Sequence, residues 1–112
     1  MTIKEWQSEV DKWIKDIGVR YYDEKTNALI LTEEVGEFSR IIAREYGEQS
    51  WKKTPSTTEV KQMLTDELAD IVWVTTCLAN QLDIDLTAAL KENLSKKTAR
   101  DKDRHKGNPK LK

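Results

Sequence analysis

LTEEVGEFSRI (residues 31–41) and LTDELADIVWV (residues 64–74) decide the fold, because both carry apolar residues at helical spacing and both interrupt them with acids. A helical residue turns about 100°, so with Leu31 at zero Glu34 lies near 300°, Val35 near 40°, Glu37 near 240°, Phe38 near 340° and Ile41 near 280°. Counted from Leu64, residues Glu67, Leu68, Asp70, Ile71 and Val74 fall at the same five angles, because each is displaced from its counterpart by the same number of residues. Two helices thus carry one design twice, with Glu34 and Glu67 inside the apolar arcs. Gly36 and Ala69 sit between the paired acids and are expected to let the two backbones approach.

Outward from this pair the chain reads as all-α, since only two prolines and four glycines interrupt it. Thr2 and Glu5 form a capping box for a first helix in which Trp6, Val10, Trp13, Ile14 and Ile17 recur up to Gly18. The second helix is expected to start near Asp23 or Thr26 and to stop at Gly47. Residues 48–57 read as a loop, and Ser56 with Glu59 caps a third helix from about Thr57 to Gln81. Asp83 or Asp85 caps a fourth, through Leu86, Leu90 and Leu94, which Gly107 and Pro109 are expected to end. The prediction is a four- to five-helix, bundle-like subunit, with one domain over 1–107 and a short basic tail, 108–112.

A hydrophobic content of 38% against 35% charged residues gives a thin core for 112 residues, which self-association would relieve. No apolar run is long enough for a membrane span, and Met1 leads directly into a polar, amphipathic segment, so a soluble, cytoplasmic protein is expected. The single Cys77 lies in an apolar stretch and reads as a core residue. With His105 the only histidine, nitrogen and sulfur ligands for zinc are missing, so any metal must be held by oxygen. The net charge of -1 conceals an asymmetry: residues 1–95 carry 11 Lys/Arg against 18 Asp/Glu, and residues 96–112 carry 8 against 2.

Each acidic pair is spaced i, i+3, which stacks its carboxylates on one face. Taken singly, such a pair is the ordinary charged face of an exposed helix. Four carboxylates converging from two apolar arcs repel one another unless a cation enters, and an all-carboxylate set favours Mg2+, with Mn2+ as a substitute. Magnesium held this way recruits phosphates and acidifies a bound water, for which Glu33 offers a further acid as general base.

These residues resemble the MazG-like branch of the all-α nucleoside triphosphate pyrophosphohydrolases, a superfamily that includes the dimeric dUTPases and the phosphoribosyl-ATP pyrophosphohydrolases. The pattern of two adjacent acids, another three residues on, then an acid and an aspartate three apart on the next long helix is met by Glu33, Glu34, Glu37, Glu67 and Asp70. The resemblance implies hydrolysis between the α- and β-phosphates to monophosphate and pyrophosphate, with Glu34, Glu37, Glu67 and Asp70 as Mg2+ ligands; Glu33 and Glu34 are the candidate catalytic residues. It further implies substrate contacts from Asn93, Lys97 and Arg100 on the fourth helix, and from Trp51, with Trp6 and Trp13 as other aromatic candidates. A homodimer or dimer of dimers is the expected assembly. Where some relatives place a tyrosine one turn after the aspartate, this chain has Val74 beside Trp73. Two other readings stand beside this one: a non-catalytic nucleic-acid binder using Lys96 to Lys112, and a helical interaction module whose acids hold a structural ion. The first explains the tail and leaves the acids unexplained, so nucleic acid is the less favoured partner.

Overall fold

In a computed structural model describing residues 1–112, four helices are followed by one short 3₁₀ turn: α1 (Ile3–Asp16), α2 (Glu24–Glu45), α3 (Thr57–Gln81), α4 (Leu86–Asp101) and Pro109–Leu111. Local chemistry sets the starts. The Thr2/Glu5 and Ser56/Glu59 capping boxes are both formed, Asp23 caps α2 by accepting from the Thr26 N–H, and Asp85 caps α4 by accepting from Thr87 and Ala88. Gly47 lies directly above the last turn of α2, where a Cβ would come within 2.5 Å of the Ala43 carbonyl oxygen. Only glycine lets the chain pass there.

The helices α2 and α3 pack antiparallel, as the pairing of residues along them shows. Asn27 donates from its side chain to Gln81 Oε1 at 2.7 Å near one end, and Glu34 meets Glu67 and Asp70 further along. Ile41, Val60 and Val74 are buried on these two helices. Helix α1 lies against α3 through Val10, Ile14 and Cys77, around which Trp6, Tyr21 and Trp73 pack. Trp73 meets Trp6 and Trp13 in T-shaped pairs at centroid distances of 5.9 and 5.2 Å. Gln7 ties α1 to the α3–α4 turn by donating to Asn80 Oδ1 and the Ile84 carbonyl while accepting from the Leu86 N–H. No helix is long and apolar enough to cross a membrane.

Beyond that turn α4 has no buried residue, although its start packs against α1. The radius of gyration is 17.9 Å, against about 13 Å for a compact domain of this size. Leu90 and Leu94 on α4, Val35 on α2, and Leu68 and Val72 on α3 remain exposed.

Two sequence expectations need correction. Helix α4 ends at Asp101, ahead of Gly107 and Pro109. With no apolar contact beyond Leu94 to support it, the backbone tightens to an i, i+3 bond from Arg104 N–H to the Asp101 carbonyl, while Arg100 and Arg104 fold onto the Asp101 carboxylate. Gly36 does not sit at the helix contact, since a Cβ there would meet nothing within 4 Å. Two residues beyond Glu34 it has turned about 200°, and so points away from α3.

Candidate metal centre and its two flanking cavities

Because α2 and α3 run antiparallel, their matched segments meet head to tail, and the acids inside the apolar arcs face each other. Glu34, Glu67 and Asp70 each offer a carboxylate oxygen within 4.8 Å of the other two. The Oε2 atoms of Glu34 and Glu67 are buried and have no hydrogen-bond partner, which leaves two carboxyl oxygens unsatisfied. Burial pushes the Glu67 carboxyl up to about 7, and the adjoining Glu34 and Glu37 carboxyls push the same way. Glu37 lies outside the group of three, yet it borders Glu67 one helical turn along from Glu34. These are the properties of a divalent-cation cradle: hard oxygen donors, close spacing and orphaned buried lone pairs.

A cavity opens at each end of this acidic cluster. The first, of 420 Å³, is bordered by Glu34 and Asp70 and is walled by Trp13, Tyr22, Asn27, Ile30 and Trp73. It is largely apolar, and Asn27, only 4% exposed, is its most deeply buried polar residue. The second, of 560 Å³, is bordered by Glu37 and Glu67 and by Trp51, with Arg40, Arg44, Lys52 and Lys53 around it. Cavities of this size suit small ligands.

Of the sequence-derived candidates, the fold therefore gathers Glu34, Glu67 and Asp70 tightly, with Glu37 beside them and Trp51 in the second cavity. Trp13 lines the first cavity. Trp6 points elsewhere: its indole N–H donates to the buried Thr76 Oγ1 at 2.8 Å, which is a packing role. Glu33 is exposed and borders neither cavity, as expected of a residue 100° round the helix from Glu34. Asn93, Lys97 and Arg100 are exposed on α4 and border neither cavity within one chain, and Arg100 is paired with Asp101, whose carboxyl it holds down at about 2.

Sequence reasoning missed Arg40 and Arg44, Lys52 and Lys53, and Asn27. Arg40 and Arg44 stand three and seven residues after Glu37, a spacing that puts all three on one face and was available as a signal. Asn27 had no such signal, because its role depends on contact with Gln81 on another helix.

Comparison with known proteins bears on the same segments. Residues 22–105 match the MazG nucleotide pyrophosphohydrolase domain. The chain is 38% identical over 103 residues to the uncharacterised protein YpjD of Bacillus subtilis (strain 168), covering 92% of this chain and 89% of that one. The crystal structure of Bacillus subtilis YpjD superposes with a TM-score of 0.73 at 34% identity, covering 86% of this chain and 94% of that chain. The Bacillus-conserved MazG protein, a nucleotide pyrophosphohydrolase, superposes equally well, with a TM-score of 0.73, 35% identity, and 93% and 97% of the two chains covered.

Proposed function

The chain belongs to the MazG nucleotide pyrophosphohydrolase family, and from that membership we propose that it hydrolyses (deoxy)nucleoside triphosphates between the α- and β-phosphates, in a magnesium-dependent reaction that clears unwanted nucleotides from the cytoplasmic pool. The observation that carries this reading is the pair of buried, unpartnered oxygens on Glu34 and Glu67 beside Asp70, an arrangement that is costly without a cation and suited to one.

Glu34, Glu37, Glu67 and Asp70 would hold Mg2+, for which Mn2+ can substitute. The bound ion supplies positive charge at a phosphoryl oxygen and a more acidic water. The protein's own contribution is to fix four carboxylates on two packed helices, so that little reorganisation accompanies reaction. A carboxylate must also receive a proton from the attacking water. Of Glu33 and Glu34, the second has the better position, since it points into the cluster while Glu33 faces solvent. Trp51 contributes substrate contact from the second cavity.

Exposed Val35, Leu68, Val72, Leu90 and Leu94 support a homo-oligomer, a dimer or dimer of dimers, in which a second copy covers apolar surface that one chain leaves open. In such an assembly Asn93, Lys97 and Arg100 reach substrate from the partner's α4. The exposed cations of residues 96–112 would also suit nucleic acid electrostatically, but that reading gives the buried acids no purpose.

A panel of ordinary and modified nucleoside triphosphates, assayed for monophosphate and pyrophosphate with and without Mg2+, tests the proposal. Release of both products only with the metal is expected; release of inorganic phosphate alone, or no turnover of any triphosphate, would refute it.

A further inference from the structure

The second cavity concentrates positive charge in a part of the chain that is otherwise acidic. Of the 11 Lys/Arg among residues 1–95, four border it: Arg40, Arg44, Lys52 and Lys53. None of the four makes an ion pair, although Glu37 and Glu67 border the same cavity. Acids and cations thus face one space and remain more than 4 Å apart. A ligand that carries a metal on one side and anionic oxygens on the other satisfies both sets at once.

The cations are brought there by the α2–α3 connection. Gly47 allows the chain to cross the end of α2, the Gln49 N–H donates to the Ala43 carbonyl at 3.3 Å, and the Trp51 indole N–H donates to Glu45 Oε2 at 3.3 Å. Lys52 and Lys53 follow directly and, though exposed, border the same cavity as Arg40 and Arg44. At the opposite end of the acidic cluster the first cavity has one cation, Arg20, and aromatic walls. The site is polar along the α2–α3 groove, with an aromatic end and a cationic end.

Building on the pyrophosphohydrolase reading, we propose that the cavity bordered by Arg40, Lys52 and Lys53 is the leaving-group subsite, which binds the β- and γ-phosphates and then the pyrophosphate product, while the nucleoside enters the aromatic cavity past Glu34 and Asp70. Water forms the new bond to the α-phosphorus, and the bond from that phosphorus to the bridging oxygen breaks. Pyrophosphate leaves with that oxygen and its electron pair, and one proton is released to solvent. The cations act on the charge that builds on the departing pyrophosphate, so they assist bond breaking as well as binding. Arg44 is partly buried and donates to the Arg40 carbonyl at 3.3 Å, which makes it a positioning residue for its exposed neighbour.

The test is calorimetric titration of inorganic pyrophosphate, with Mg2+ present, into wild type, the single variants Arg40→Gln, Lys52→Gln and Lys53→Gln, and their triple combination. Lys25→Gln and Lys61→Gln, exposed cations outside both cavities, serve as charge controls. Each single change is expected to weaken pyrophosphate roughly tenfold, the triple more, and the controls less than twofold. Far-UV circular dichroism should show full helicity throughout, since the three side chains are exposed. Pyrophosphate binding that is absent in wild type, or equal in wild type and the triple variant, would overturn the subsite. The triphosphate panel reports separately: no turnover with cation-dependent pyrophosphate binding removes the enzymatic reading and keeps the anion site. Turnover with cation-independent binding does the reverse.

Discussion

Glu34 and Glu67 approach from different helices until their carboxylate oxygens lie within 4.8 Å, and each buries an Oε2 atom with no hydrogen-bond partner. Two like charges at that separation in a half-apolar groove oppose folding unless something positive joins them or one carboxyl keeps its proton.

Glu34→Gln and Asp70→Asn keep side-chain volume and remove charge. Both are expected to lower pyrophosphate release on the order of 100-fold or more while leaving the far-UV circular dichroism unchanged, because metal charge is needed at the phosphate and repulsion between the helices is reduced. Near-normal turnover in either variant would exclude that residue as a ligand.

Without divalent ions the protein should lose stability as pH rises from 4.5 through about 7. Burial raises the Glu67 carboxyl from 4.5 to about 7, so across that window the folded chain holds a proton that the unfolded chain has lost. The stabilisation is complete below 4.5 and gone above the folded value. Thermal melts in chelator at pH 5 and pH 8 should show the lower midpoint at pH 8, and Mg2+ should restore it there and have little effect at pH 5. Glu67→Gln should flatten this profile.

Much of this was legible in the sequence because it is local or periodic. The capping boxes at Thr2 and Ser56 and the repeated acids at 34, 37, 67 and 70 are fixed by spacing along single helices, and they located two of the four helix starts and the acidic cluster between α2 and α3. The capping aspartates were legible too, although the choice of Asp85 over Asp83 rests on the folded turn, where the Asp85 carboxylate accepts from the Thr87 and Ala88 N–H groups. What remained hidden depends on how distant segments come together: Asn27 with Gln81, or Lys52 and Lys53 bordering one cavity with Arg40 and Arg44 of α2. The end of α4 was misread because Gly107 and Pro109 are strong local stop signals, whereas the helix ends six residues before Gly107 for want of anything to pack against.

Trp6→Phe removes the indole donor that reaches Thr76, a residue only 1% exposed, and keeps most of the ring contact with Trp73. It should cost about 1–2 kcal/mol in chemical denaturation with little change in KM, because this tryptophan packs α1 on α3 and lies outside both cavities that border the acids. A large loss of substrate affinity at unchanged stability would instead place Trp6 in the site.

Leu90 and Leu94 are 51% and 68% exposed on α4, and a second copy of the chain is expected to cover them. Sedimentation should give at least twice the 13.0 kDa of one chain, and Leu94→Glu should shift it toward the monomer. Lys97→Ala in the wild-type assembly should raise KM several-fold with kcat nearly unchanged. A wild-type monomer with full activity would contradict both.

The most direct measurement is anomalous diffraction from crystals grown with Mn2+. A peak is expected between α2 and α3, about 2.0–2.3 Å from oxygens of Glu34, Glu67 and Asp70, with Glu37 turned toward the same ion. Crystals in which these carboxylates diverge into solvent, with no manganese between the helices at millimolar concentration, would contradict a shared divalent cation as the basis of the site.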